Sequence, residues 1–227
     1  SEMCIRDRGR GTRAEVVCGE VPEELVVREA GLNYLVQPLR NQNVGLFLDM
    51  APTRKWLRQA AEGRRVLNLF AFTCAFSVVA IEGGAVSVVN NDMSRPSLDW
   101  GLRNHELNGH DLRKVRMLPH NVFKSWSKIR EPGPYDIIII DPPTNQRGSF
   151  NAEKQYALIL KKLPELAKAG TAIIACLNSP FLNADFLPGQ MARWCARASL
   201  VEPMAVSDDF PDRFPERGLK IYRYLYT

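Results

Sequence analysis

Two carboxylates stand at the ends of apolar runs. Asp92 comes soon after Ala85-Val-Ser-Val-Val-Asn90, and Asp141 closes the run that begins at Tyr135. An acid at a strand end can hold a nucleoside ribose, because its oxygens accept both hydroxyl protons. Asp92 can also act locally, beside Ser94 at a helix start. Asp141 is followed by Pro142 and Pro143. The two prolines fix the backbone and keep the residues before them extended. A carboxylate among rigid carbonyls can grip an amino group. A third candidate is Phe70-Ala71-Phe72-Thr73, followed by the small residues Cys74, Ala75 and Ser77. Backbone amides there, at a helix start, can hold a carboxylate. No glycine lies between Gly63 and Gly83, so the glycine-lined approach to a pyrophosphate is missing, which counts against NAD or FAD. His105, His110 and His120 are dispersed, and Cys4, Cys18, Cys74, Cys176 and Cys195 have no paired spacing. We therefore expect no metal site and no disulfide framework.

These residues need a sheet to bring them together. From residue 65 the chain reads strand then helix, five times, ending in two strands with no helix between them. Expected strands are 66–70, 85–90, 115–118, 135–141, 171–176, 200–205 and 219–225. Expected helices begin near Lys55, Cys74, Ser94, Val122, Asn151 and Ala184, with a kink or break at Pro164. The alternation implies an α/β, Rossmann-like doubly wound sheet, with helices on both faces and continuously apolar strands. In such a sheet ligands bind at the carboxyl ends of the strands, where Phe70–Thr73, Asp92, Asn121 and Asp141 all fall. Val pairs between residues 13 and 40, with turns at Pro22 and Gly31, read as the tail of an upstream β-rich module. Met3 to Arg8 resembles the translation of a sequencing-library adapter, so residues 1–8 are expected to be a non-native leader.

The chain has 227 residues, 45% hydrophobic and 24% charged, with a formal charge of +5. That composition is globular and excludes collagen, coiled coil and disorder. The longest apolar run is far short of the ~18 residues of a membrane helix. A cytoplasmic protein with no membrane partner is the expectation. The positive balance favours a polyanionic partner. Arg113, Lys114, Arg116, Lys124, Lys128, Arg130, Arg147 and Lys154 are candidates for an RNA face, with Trp126 and Phe150 as interleaved aromatics.

Val66-Leu-Asn-Leu-Phe-Ala-Phe-Thr-Cys-Ala-Phe-Ser77, Asp92-Met-Ser94, Leu107-Asn108 and Asp141-Pro-Pro143 together resemble class I S-adenosylmethionine-dependent methyltransferases. The nearest group is that of the bacterial large-subunit ribosomal RNA base methyltransferases, of cytosine-C5 and guanine-N7 types. Asn43-Val-Gly-Leu-Phe-Leu-Asp49 is similar to that group's K-T-G-x-F-L-D segment. The resemblance implies a methyltransferase domain over residues 41–227, a remnant module over 9–40, and a last strand antiparallel to the rest. It implies S-adenosyl-L-methionine as cofactor and RNA, of ribosomal type, as substrate. Phe70, Ala71, Phe72 and Thr73 would line the methionine end. Asp92 would bind the ribose, with Met93 and Ser94 beside it, and Asn121 and Val122 would face the adenine. Asp141, Pro142 and Pro143 would form the catalytic pocket between methyl group and target base.

This chain departs from the group at three points. Asn145 stands where an aromatic often follows D-P-P-x, which leaves base stacking to Phe150. Asn43-Val44 replaces Lys-Thr. Cys176 lies one position before the nucleophilic cysteine of the cytosine-C5 types, whereas Asn178 fits the nitrogen-methylating pattern. Methylation of a ring nitrogen is therefore the expectation. The alternatives are a non-catalytic RNA-binding relative and, further off, a nicotinamide-dependent oxidoreductase. The oligomeric state is left open.

Overall fold

The computed structural model describes residues 16, 18–39, 43–143, 150–211 and 214–227. The leader expected at 1–8, Asn145 and Arg147 lie outside the described residues. A hairpin comes first, β1 (Leu25–Glu29) against β2 (Leu32–Val36). Ala30 and Gly31 form its turn with φ of 49° and 86°. Two positive φ values match a turn whose twist suits flanking strands.

The main sheet has seven strands: β3 (Arg65–Leu69), β4 (Ser87–Asp92), β5 (Val115–Pro119), β6 (Tyr135–Ile140), β7 (Ala167–Asn178), β8 (Ala198–Pro203) and β9 (Leu219–Tyr226). Their spatial order is β5-β4-β3-β6-β7-β9-β8. The first five run parallel, and β9 is inserted antiparallel between β7 and β8. Helices α1 (Ala51–Ala60), α2 (Ala75–Glu82), α3 (Arg95–Leu107), α4 (Trp126–Arg130), α5 (Ala152–Leu160), α6 (Leu163–Leu166) and α7 (Phe186–Trp194) surround it. Pro164 sits in the first turn of α6, after the break from α5. Proline is tolerated there because that amide has no intrahelical partner.

Side chains alternate across the central strands, as a pleat requires. Leu67, Leu69, Ile138, Ile140, Ile173 and Ala175 face a core built with α5, α6 and α7. Val66, Ile137, Ile139, Ile174 and Cys176 face a second core built with α1, α2 and the hairpin. All six residues of β6 are buried. Burial on both faces explains the unbroken apolar run Ile137–Ile140, whereas Asp136 near the strand start is held by the Arg65 amide at 2.8 Å and Lys168 at 2.7 Å.

The hairpin shares the second core, with Tyr34 and Val36 buried in it. Arg54 of α1 is buried and fastens it, with Nε and Nη2 donating to the two Glu29 carboxylate oxygens at 2.7 and 2.6 Å. Nη1 of the same arginine donates to the Phe47 carbonyl at 2.8 Å. A buried guanidinium needs this many acceptors, so the segment before α1 is fixed relative to the sheet. Beneath the site, Asn68, Asn90, Ser77, His105 and His110 form a chain of hydrogen bonds at 2.9 Å each. Burial, followed by the neighbouring His110, pushes His105 down to about 3, so it is a neutral structural link between α2 and α3 at neutral pH.

Candidate active site

Strands β5, β4, β3 and β6 are neighbours and parallel. Their four carboxyl ends therefore lie side by side, and every residue expected in the site emerges there. The loop after β3 carries the strongest backbone signal. Phe70, Phe72 and Cys74 take φ of 61°, 45° and 61°. Left-handed backbone costs non-glycine residues about 1–2 kcal/mol each, so the surroundings must hold it. Phe70 packs edge-on to Phe150 at 5.4 Å, and Phe72 packs against Phe47 at 5.6 Å and Trp100 at 6.3 Å. Cys74 is fully buried. The missing glycines thus do not exclude a glycine-like loop, and strain of this kind gathers at ligand sites.

Asp92 ends β4 and is half-buried. Its Oδ2 accepts from the Phe72 amide at 3.0 Å and its Oδ1 from the Ser94 amide at 2.8 Å. The carboxylate thus joins the strained loop to the start of α3, and each oxygen keeps a further acceptor site. The local reading of this residue is realised: the two amides fix the carboxylate, and a fixed carboxylate is what a diol would require. Ser94 caps α3 by accepting from Ser97 N at 3.2 Å. Met93 is exposed. The Thr73 hydroxyl donates to the Gly45 carbonyl at 2.6 Å and its own carbonyl accepts from Asn104 Nδ2 at 2.9 Å, so both fix the loop to its neighbours. Ala71 is buried, and its amide donates to Asn91 at 3.0 Å. Asn121 caps the short turn Val122–Lys124, its Oδ1 accepting from Phe123 N at 2.9 Å, and Val122 is buried.

Asp141 follows β6, one position after the paired Ile140 and Ala175. Strand parity puts it on the face shared by Ile137 and Ile139, beside Cys176. Burial, reinforced by the charge of Asp49, raises its carboxyl to about 7, against the opposing pull of the Cys176 thiol and Arg54. The sign for stability follows directly. A carboxyl raised in the folded state contributes fully below its unfolded value of 3.8, and that contribution is lost as pH rises to about 7. Asp141→Asn, which has no charge to bury, should therefore stabilise the chain by an amount near zero at pH 4. The gain should grow to a few kcal/mol above pH 7, at up to about 1.4 kcal/mol per pH unit. Urea melts of both proteins across this range check it, and a difference independent of pH rejects the buried-charge reading.

One expectation near Asp141 changes, the stacking role of Phe150. Phe150 is buried between Phe70, Phe123 and Tyr156, so it is a wall of the core and not an open platform for a base. Cys176 is fully buried, and burial pushes its thiol well above the ordinary range. The RNA face is also weaker than the raw charges implied. Arg113 pairs with Asp111 at 2.8 Å, Arg116 with Glu131 at 2.6 Å and Arg130 with Glu165 at 3.0 Å. Sequence reasoning also missed two residues. Asp49 acts on Asp141 from the turn Leu48–Met50. Asn91 Nδ2 donates to the Leu118 and His120 carbonyls at 3.0 and 2.9 Å, tying the end of β5 to β4. The G-L-F-L-D run pointed at Asp49, whereas nothing in the sequence marked Asn91. A groove of about 930 Å³ is lined by the hairpin, α1, the end of α2 and Ser207. Among the described residues no cluster of metal-ligating side chains occurs, and no helix is long and apolar enough to cross a membrane.

Residues 2–225 match the family model of S-adenosylmethionine-dependent methyltransferases. The ribosomal RNA large subunit methyltransferase K of Neisseria meningitidis is 36% identical over 221 residues, covering 96% of this chain and 60% of the relative. The ribosomal RNA large subunit methyltransferase I of Aeromonas salmonicida is 37% identical over 146 residues, covering 63% of this chain and 37% of the relative. A solved structure from Streptococcus mutans, described as a SAM-dependent methyltransferase, superposes with a TM-score of 0.86 at 28% identity, covering 93% of this chain and 58% of that one. A structure complexed with SAH matches equally well. The chain thus spans less than two thirds of the length of these relatives.

Proposed function

The chain belongs to the S-adenosylmethionine-dependent methyltransferases, and from that premise we propose that it methylates a base of structured RNA, of the large-subunit ribosomal class for which its relatives are named. One observation carries the reading. Two carboxylates, Asp92 and Asp141, stand at the carboxyl ends of the strands flanking β3, with the strained Phe70–Cys74 loop between them. When bound, the cofactor would supply an electrophilic methyl group on a sulfonium. Asp92 would hold the ribose, with Met93 and Ser94 alongside, and Phe70, Ala71, Phe72 and Thr73 would line the methionine end. Asn121 and Val122 would border the adenine. Asp141, Pro142 and Pro143 would orient the target base, so that rate comes from positioning. This work belongs in the cytoplasm, where ribosomal RNA is exposed to the enzyme.

The target atom is a ring nitrogen. Attack at cytosine C5 needs a thiolate to add to the ring first. Burial keeps the Cys176 thiol protonated and away from solvent, and a ring nitrogen has its own lone pair. Cys176→Ser should leave turnover within about twofold, because the serine hydroxyl can keep the contact with Asp141 and packing changes little. The test incubates the purified chain with unmodified ribosomal RNA and S-adenosylmethionine, then maps modified nucleosides by mass. A covalent adduct with 5-fluorocytosine RNA that vanishes in Cys176→Ser would overturn the nitrogen assignment. A chain that binds RNA but not S-adenosylmethionine would be a non-catalytic relative.

A further inference from the structure

The structure sorts the cations offered for an RNA face by place and by partner. Arg113 and Lys114 precede β5, at the amino ends of the parallel strands, and Arg113, Arg116 and Arg130 are each held by a carboxylate. Lys124, Lys128 and Lys154 differ on both counts. All three are exposed. Among the described residues none of them takes part in an ion pair.

Their elements put them at the carboxyl ends of the strands. Lys124 ends the turn Val122–Lys124, which comes soon after β5. Lys128 Nζ donates to Nε2 of His120 at 2.9 Å, and His120 is the residue after β5. The His120 carbonyl is itself fixed from β4 by Asn91 Nδ2 at 2.9 Å. Lys154 lies in the first turn of α5, the helix that follows β6 and Asp141-Pro-Pro143. Phe123, beside Lys124, stacks on Phe150, just before α5, with ring centres 6.4 Å apart and planes 11° apart. Phe150 in turn meets Phe70 of the loop after β3 at 5.4 Å. The turn carrying Lys124 and the start of α5 are thus packed together on the side of the sheet that carries Asp92 and Asp141.

The partner of Lys128 sets it apart from an ordinary surface lysine. A carboxylate would hold the ammonium and cancel its charge. A neutral imidazole holds it and leaves the charge uncompensated. Because Nε2 accepts, the ring proton sits on Nδ1, and the ammonium keeps two N–H bonds for another acceptor. A side chain already held in place loses less freedom when it meets an anion. Glu153 is exposed beside Lys154, so the patch carries three positive charges against one negative.

We propose that Lys124, Lys128 and Lys154 bind the phosphate backbone of the RNA substrate at the rim of the site, with His120 as a positioning residue for the Lys128 ammonium. The inference rests on the RNA-methylating reading and names the edge over which the substrate lies, that of β5, α4 and the start of α5. Lysine suits this work as a point charge that reads phosphate and no base sequence.

The test measures binding of the whole chain to an unmodified ribosomal RNA transcript over a range of salt concentrations. Each phosphate contact contributes about 0.7–0.9 to the slope of log K against log salt. Lys124→Gln, Lys128→Gln and Lys154→Gln should each lower the slope by about that amount, and S-adenosylmethionine affinity should be unchanged in all three. Arg113→Gln and Arg130→Gln should leave the slope as it is, because their charges are already paired. His120→Ala should weaken RNA binding a few-fold with the slope kept, and His120→Gln, whose carbonyl can accept from Lys128, should restore it. Lysine variants with the wild-type slope overturn the proposal and leave the methyltransferase reading intact. Equal losses in the lysine and arginine variants overturn it too, by assigning the attraction to net charge alone. A wild-type chain that takes up S-adenosylmethionine but binds no RNA removes the RNA reading, and the proposal with it.

Discussion

Asp141→Ala should lower methyl transfer by about 100-fold or more, and leave the affinity for S-adenosylmethionine nearly unchanged. The magnitude is that of misplacing a reacting group in a site that works by orientation. Asp141 is suited to that work because it is held on three sides. Its amide reaches the Leu69 carbonyl at 3.5 Å, Pro142 and Pro143 limit the chain after it, and Cys176 lies against it from β7. Its carboxyl, raised to about 7 by burial and then by Asp49, also predicts a pH profile. The ionised form accepts a hydrogen bond from an amino group on the base and so orients it, so kcat/KM should rise as pH passes through about 7 and level off above it. Asp141→Asn should keep a small residual rate and lose that titration. A residue that only supported the fold would not carry the titration. Turnover in Asp141→Ala within about tenfold of the wild type, with the pH profile unchanged, would remove Asp141 from the chemistry.

The parts of the fold that the sequence disclosed are those governed by period and by punctuation. The run Ile137 to Ile140 has no alternation, and its shortness and β-branched residues mark it as a strand buried on both faces. Gly83-Gly84 and Pro164 marked helix limits by backbone chemistry alone. What was hidden depended on neighbours distant in sequence. Phe70, Phe72 and Cys74 give no local hint of a left-handed backbone, because the packing of Phe47, Trp100 and Phe150 maintains it. Gly45 is similar. It has φ of 118°, and a Cβ there would sit 2.5 Å from the Trp100 ring, a constraint set by α3. The charges of Arg113, Arg116 and Arg130 looked available for phosphate until their acidic partners came into view. Two of these three partners, Glu131 and Glu165, lie 15 and 35 residues away in sequence.

Asp92→Ala should weaken S-adenosylmethionine binding by ~10- to 100-fold. One hydrogen bond to a charged group contributes on the order of 1.5–3 kcal/mol, which converts to that range. The geometry sharpens the expectation, since the same carboxylate has two duties. Towards the protein it accepts from Phe72 and Ser94, and towards the ligand it would accept from the ribose hydroxyls. Alanine removes both, so the loop after β3 loses the bond that stabilises its positive φ at Phe72. Asp92→Asn separates the two. An asparagine oxygen can still accept one backbone amide, but its NH2 group cannot accept a proton from a hydroxyl. Asn should therefore restore most of the thermal stability lost in Ala while restoring little of the affinity. Calorimetry on the three proteins, with melts run in parallel, decides this. Wild-type affinity in Asp92→Asn would reduce Asp92 to a clamp for the loop, and full affinity in Asp92→Ala would take it out of the site altogether.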